Sequence, residues 1–381
     1  MKTVGIICEY NPFHFGHLRQ IQMIRQQLGE DTIVICVMSG NYVQRGTPAM
    51  WDKYTRAHAA VDCGADLVLE LPITKVLQSA EGFARGGVEI LSKLNCVDYL
   101  CFGAECGDAQ ALMRMAEKLD SEESNTSLTE YLSHGLPYAA ARQAAVNDHQ
   151  NLLASPNNIL GVEYCRALIS LNSSMKPLVI QRNGDYHDRI ADAKEPSATA
   201  VRELYPDGNW HSFVPQEAAV HFAHAYSYDL SHGERAVLSR LRSLSDEEWR
   251  GCAHGSEGLW SKAMKASRSQ RTLEAIIDAT KSKRYPRTRI QRLIMCAYLG
   301  ITQKDLSLSP SFCRLLAASE AGRSRLRTIR QEVSFPITNP GQAPHDSYYY
   351  RLETKSSDLF TLFCSENNFP CQTDQDARLR I

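Results

Sequence analysis

The sequence has no apolar run of the roughly 20 residues that a bilayer-spanning helix needs, no internal repeat and no low-complexity tract. A helical membrane anchor and a solenoid are excluded on those grounds. Net charge is missing as well: 42 Lys and Arg stand against 43 Asp and Glu, for a formal charge of −1, so global electrostatics select no class of partner. Twelve cysteines are present, but none forms a Cys-x-x-Cys pair, which removes the usual redox and zinc-knuckle patterns. Cys8, Cys36 and Cys101 lie inside apolar runs, where a thiol behaves as a small hydrophobe. A zinc site on Cys96, Cys101 and Cys106 is a weaker alternative, because its spacing fits no common knuckle. Met1 and Lys2 lead straight into a strand-like run, without a leader's apolar core and cleavage site, so the expected location is the cytoplasm.

What is present is an ordinary globular composition, 43% hydrophobic and 22% charged over 381 residues, enough for two domains with their own cores. In the first half, short apolar runs at 4–8, 32–38, 66–71, 99–102 and 178–180 alternate with helical patterns at 18–28, 53–63 and 82–94. Continuous apolar runs mark strands covered on both faces, and their alternation with helices predicts a Rossmann-like, doubly wound parallel α/β sheet. The polar helical stretch 108–150 reads as an insertion, and Ser155-Pro156-Asn157-Asn158 opens a helix over 159–171. Beyond about residue 206 the pattern is mostly helical, with a strand-like stretch only near 333–337. The expected division is an α/β domain over 1–205 and a mostly helical domain over 206–381.

Ligands of doubly wound sheets sit beyond the carboxyl ends of the strands, and polar residues collect there. The first strand runs through Val4-Gly5-Ile6-Ile7-Cys8 into Glu9-Tyr10-Asn11-Pro12-Phe13-His14-Phe15-Gly16-His17-Leu18. Asn-Pro breaks the strand, and two histidines then open a helix whose free amides attract phosphate. Imidazoles so placed can donate hydrogen bonds as charge builds on a phosphoryl group. The second strand ends in Ser39-Gly40-Asn41-Tyr42-Val43-Gln44-Arg45-Gly46, the fourth in Gly103-Ala104-Glu105, the fifth in Gln181-Arg182-Asn183-Gly184. Glu9, with its alternative role of orienting a histidine or an amide, faces the same edge. Lys53 and Arg56, one helical turn apart, could reach pyrophosphate or form a solvated helix face.

Charge absent globally is present locally. Residues 262–292 hold ten Lys and Arg against Glu274 and Asp278, a local excess of +8, and Arg314, Arg323, Arg325, Arg327 and Arg330 follow. A polyanion such as nucleic acid is preferred here over a merely solvated face.

The motif Asn11-Pro12-Phe13-His14-Phe15-Gly16-His17 resembles the signature of the HIGH-type nucleotidyltransferases, with Asn11 in place of their usual aspartate. Ser197-Ala198-Thr199-Ala200-Val201-Arg202 resembles their second, phosphate-holding motif. With Met38-Ser39-Gly40-Asn41-Tyr42-Val43-Gln44-Arg45-Gly46, Gly64-Ala65-Asp66-Leu67-Val68-Leu69-Glu70-Leu71-Pro72, Phe102-Gly103-Ala104-Glu105 and Ser155-Pro156-Asn157-Asn158-Ile159-Leu160-Gly161, the whole chain resembles the tRNA(Met) cytidine acetate ligase family. That resemblance implies activation of acetate by ATP, with magnesium, to acetyl-adenylate. Transfer to the wobble cytidine of elongator tRNA(Met) would follow, giving N4-acetylcytidine. Residues from Val4 and Gly5 to Leu18 would bind ATP, and His14 and His17 would stabilise the α-phosphate. Gly103 would lie under the nucleotide. Asn157 or Asn158 (Asn158 preferred) and Arg182 would contact it, and Ser197, Thr199 and Arg202 would hold phosphates. For this last group the plain alternative is a helix cap with an exposed arginine. Lys281, Lys283, Arg284, Arg287, Arg289 and Arg292 would meet the tRNA. The competing readings are an adenylyltransferase that makes a nucleotide cofactor and a non-catalytic nucleotide- and RNA-binding protein.

Overall fold

A computed structural model describes residues 1–182, 196–342, 347–366 and 374. Asn183, Gly184 and Cys371 lie outside the described residues.

Strand β1 (Thr3–Cys8) continues through β2 (Ile33–Ser39), a hairpin of β3 (Tyr42–Val43) and β4 (Thr47–Pro48), β5 (Leu67–Leu71), β6 (Tyr99–Ala104) and β7 (Lys176–Gln181). In the second half come β8 (Cys313–Ala318) and β9 (Ile337–Thr338). The main sheet has the order β7-β6-β1-β2-β5-β8-β9. From β7 to β5 all neighbours are parallel; β8 joins β5 antiparallel. The five expected strands are therefore all in one parallel sheet. The chain turns outward in opposite directions from β1, so the switch point lies between β1 and β6.

The apolar runs alternate faces residue by residue. Val34, Cys36 and Met38 of β2 share a core with Ile21 and Ile24 of the helix Phe15–Leu28 and Ala57 and Ala60 of the helix Lys53–Asp62. Ile33, Ile35 and Val37 point the other way, to Val88 and Leu91 of the helix Ala80–Lys93 and Val162 of the helix Pro156–Ser170. Both faces are dry, which is why the strands carry no polar alternation. Gly5 and Gly87 permit the closest approach here: a Cβ on Gly5 would lie 2.6 Å from Leu91, and one on Gly87 2.6 Å from Ile7. Three helices, Ala109–Leu119, Glu122–Ser133 and Tyr138–Ala145, occupy the stretch read above as an insertion.

Helices Glu234–Ser243, Leu259–Ser269, Leu273–Thr280 and Arg287–Leu299 build a second core, which also takes in Tyr42, Ile73 and Leu77 from the first half. The expected boundary at 205/206 does not partition the sheet, because β8 and β9 return to it from the helical half. No helix of the described residues is long and apolar enough to cross a membrane.

Candidate active site

The turn after β1 is held by its own histidines. His14 is the N-cap of the helix Phe15–Leu28: its Nδ1 accepts from Gly16 N–H at 3.1 Å, while His17 Nδ1 accepts from His14 N–H at 3.2 Å. This is a capping box with imidazoles in place of the usual hydroxyl and carboxylate. The two rings stack with centroids 3.7 Å apart, and Tyr10 and Phe13 pack against His17. Burial, helped by the positive charges of Arg182 and Arg202, pushes His14 down to about 3. Burial and His14 push His17 down as well. Both rings are therefore neutral. With each Nδ1 accepting from a backbone amide, the ring proton sits on Nε2, so each histidine has one N–H left to donate.

Asn11 accepts from Met50 N–H through Oδ1 at 2.8 Å, and its carbonyl accepts from Arg202. Arg202 also reaches Thr199 Oγ1 at 3.1 Å, so the second motif is tied directly to the first. Ser197 caps the helix Ala198–Leu204 by accepting from Ala200 N–H. Its cap role and its place at the site coexist.

Beyond β1 and β6 opens a cavity of about 1000 Å³. Ile6, Ile7, Cys8, Glu9, Tyr10, Asn11, His14 and His17 line it from the first motif. Gly103, Asn157, Arg182, Ser197, Thr199 and Arg202 line it from four other segments. Folding thus brings together residues up to nearly 200 positions apart.

Other expected contacts fall outside its wall. Gly5 and Val4 face the helix layers, Phe13 is wholly buried in the core, and Pro12, Phe15, Gly16 and Leu18 shape the turn without lining the cavity. Asn158, the preferred asparagine, is buried: its Oδ1 accepts from Cys106 N–H at 2.9 Å, and Asn157 takes the wall position instead. Glu105 accepts from the amides of both asparagines and so caps this helix from the end of β6. The atoms that a Cβ on Gly103 would meet first belong to Arg182, at 2.9 Å.

Glu9 lines the cavity with Oε1 accepting from Gln44 N–H at 2.6 Å. Burial raises its carboxyl, against the pull of that amide and of Arg56, Arg202 and Arg45. Gln44 and Arg45 line the cavity too.

Lys53 and Arg56 are neither pyrophosphate ligands nor a solvated face. Both have 0% exposure. Arg56 donates to the carbonyls of Glu9, Ser39, Gly40 and Trp51, stapling the ends of β1 and β2. Lys53 Nζ lies 2.8 Å from Glu70 and 2.6 Å from Asp374. The basic stretch is likewise partly spent within the fold. Arg292 is buried, Arg287 pairs with Glu274, and Arg284 and Arg289 pair with Glu257. Lys265, Arg271, Lys281 and Lys283 remain exposed.

Cys96 and Cys106 lie beyond opposite ends of β6, which encloses Cys101, so a strand's extension keeps the three thiols apart. Among the described residues no group of three His, Cys, Asp or Glu could hold a metal ion. Magnesium accompanying ATP would be held by phosphate oxygens and water.

Sequence reasoning missed several wall residues. Leu160 and Tyr164 share a helix face with Asn157, and Gln20 stands one turn beyond His17, so helical spacing could have found them. Nothing local signals Ser227, Tyr228, Asp229, Leu230, His232 or Thr288, which reach the wall from the helical half.

Residues 1–376 match the family described as HIGH Nucleotidyl Transferase. The tRNA(Met) cytidine acetate ligase of Acetivibrio thermocellus is 36% identical over 364 residues, 88% of this chain and 88% of that protein. The protein of the same name from Clostridium perfringens is 34% identical over 394 aligned positions, 95% of each. The crystal structure of apo Thermotoga maritima TmcAL superimposes with a TM-score of 0.90 at 28% identity, covering 99% of this chain and 98% of that one. The same protein bound with alpha-thio ATP gives 0.89 at 27% identity, with the same coverage. Likeness in sequence and fold extends over nearly the full length, well past the histidine turn that any HIGH enzyme would share, and the chain belongs to the tRNA(Met) cytidine acetate ligase family of HIGH nucleotidyltransferases.

Proposed function

We propose that this protein joins acetate to tRNA in two steps at the one cavity. An acetate oxygen attacks the α-phosphorus of ATP and pyrophosphate leaves, forming acetyl-adenylate. The N4 amine of the wobble cytidine of elongator tRNA(Met) then attacks the acetyl carbon, AMP leaves, and the amine loses a proton to give N4-acetylcytidine. The observation that carries the reading is the pair of neutral histidines, each with Nδ1 occupied and Nε2–H left to donate, on a cavity shared with Arg182, Thr199 and Arg202. Neutral donors stabilise charge that grows on the α-phosphate without binding the ground state as tightly as a cation would. The likeness to a TmcAL bound with alpha-thio ATP supports ATP as the nucleotide. The exposed Lys265, Arg271, Lys281 and Lys283 supply phosphate contacts for the RNA, in place of the buried Arg292.

Purified protein given ATP, labelled acetate and unmodified tRNA transcripts should place label in elongator tRNA(Met) as acetylcytidine. His14→Ala should lower acetate-dependent ATP–pyrophosphate exchange by about 10²–10³. Charge reversal at Lys281 and Lys283 should weaken tRNA binding and reduce its salt slope by about one per charge removed. Label from acetyl-CoA but not from acetate would overturn the reading. Pyrophosphate release on adding a small phosphate acceptor would instead indicate a cofactor adenylyltransferase.

A further inference from the structure

The cavity has lining that the nucleotide motifs do not supply. Single-ligand sites span roughly 300–1,000 Å³, and this one stands at the upper limit, at about 1000 Å³. Its extra wall is built by the loop 227–232, ahead of the helix Glu234–Ser243, and by Thr288 in the first turn of the helix Arg287–Leu299. None of these residues belongs to a nucleotide motif.

That wall is firmly placed. Tyr228 N–H donates to Met50 C=O at 2.8 Å, and Met50 N–H donates to Asn11 Oδ1 at 2.8 Å, so the loop is linked through one residue to the histidine turn. On its other side Asp229 N–H donates to Phe363 C=O at 2.9 Å, and the Tyr228 ring stacks on Phe360 at 4.1 Å. The backbone is thus held from both sides while the side chains of Asp229 and His232 stay exposed. Ser231 N–H donates to Asp229 Oδ1 at 2.8 Å, which orients the carboxylate; among the described residues Oδ2 has no hydrogen-bond partner. Thr288 lies between Arg287 and Arg289, and exposed Lys281 and Lys283 precede it. The same helix abuts the β3–β4 hairpin at Gly46, beside the wall residues Gln44 and Arg45.

A carboxylate is the side chain that accepts from the exocyclic amine of cytosine. An imidazole adds a flat face and a hydrogen bond, the means by which proteins read bases splayed out of RNA loops, while basic residues outside the pocket hold the flanking phosphates. We propose that Asp229, His232 and Thr288 form the acceptor subsite of this cavity, taking one splayed-out, amine-bearing pyrimidine of an RNA loop, with Asp229 accepting from its amine. The subsite rests on the two-step reading above and gives it a place for the second substrate.

The test uses the full-length protein and two assays in parallel: acetate-dependent ATP–pyrophosphate exchange, and transfer of labelled acetyl to unmodified tRNA. Asp229→Asn should lower the ratio of transfer to exchange by about tenfold or more, and Asp229→Glu should recover part of it. His232→Ala should lower the same ratio, and because His232 is exposed it carries the test if the Asp229 variant does not fold. An unaltered ratio in Asp229→Asn, His232→Ala and Thr288→Val alike would overturn the subsite. Absence of acetate-dependent exchange in the unmodified protein would instead overturn the two-step reading itself.

Discussion

His14 caps the helix after β1 and, in the proposed reaction, also donates to the α-phosphate. As an N-cap it does the work usually given to Ser, Thr, Asp or Asn, and its stack with His17 fixes both rings before any ligand arrives. Its burial has a stability consequence. The folded state holds His14 neutral down to about 3, whereas an unfolded histidine takes up a proton near 6.5. Between those values the unfolded state binds more protons, so stability falls as pH drops through this window, by up to ~1.4 kcal/mol per unit. Asn is a good N-cap and does not titrate. His14→Asn should therefore keep the fold at pH 7, lose most acetate activation, and show a shallower acid limb in urea unfolding between pH 6.5 and 4. His17 shifts in the same direction, so the limb should shrink and not vanish.

At the scale of elements, the β3–β4 hairpin meets the helix Arg287–Leu299 of the second half at a glycine. Gly46 has φ +82°, and a Cβ there would lie 2.6 Å from Arg292 N and 2.7 Å from Gln291 C, both backbone atoms that cannot swing aside. Gly46→Ala should cost the positive-φ penalty and push the helix Arg287–Leu299 off the hairpin, ~2 kcal/mol or more in total. Gly135→Ala is the matched control: φ is +83° there, with nothing within 4 Å of a Cβ. Urea denaturation of both variants separates strain from packing, and equal losses would show that the Gly46 contact contributes nothing. The hairpin also explains why Arg292 is buried while Arg287 and Arg289 of the same helix are only partly so: its backbone packs against Gly46.

At the scale of the molecule, a buried charge network closes the chain on itself. Lys53 and Arg314 each lie within 2.8 Å of both Glu70 and Asp374, so the helix after β4, strand β5, strand β8 and residue 374 meet at one point. Two cations face two carboxylates. A third carboxyl, Glu353, lies close by and accepts from Ile73 N–H at 2.8 Å. Burial, and secondarily Glu70, raises it to about 8, so it is mostly protonated at neutral pH. The folded state thus keeps a proton that the unfolded state loses near 4.5, and stability declines as pH rises from there towards 8. Glu353→Gln should be close to neutral at pH 5 and stabilising at pH 8. Lys53→Met, which leaves buried carboxylates uncompensated, should cost about 3–5 kcal/mol. Urea unfolding at the two pH values checks both, and a Glu353→Gln advantage that does not grow with pH would contradict the protonated state.

The sequence by itself determined the elements whose pattern is local. Five apolar runs became five parallel strands, four of them buried on both faces and the fifth, β7, half-buried at the sheet edge beside β6, and the histidine turn and Ser197 cap were legible because caps and turns are built from neighbouring residues. Tertiary structure decided whatever depends on distant partners. Lys53 and Arg56 have the spacing of a solvated helix face, yet Glu70, Asp374 and the carbonyls after β1 and β2 draw them inside. Strand β8 carries a buried arginine within its apolar run, and only its pairing with β5 makes it a strand of this sheet. Asn157 and Asn158 are indistinguishable until the helix direction turns one to the cavity and the other to Cys106. The loop 227–232 has no motif at all, because a wall assembled from both halves of a chain leaves no mark in either half alone.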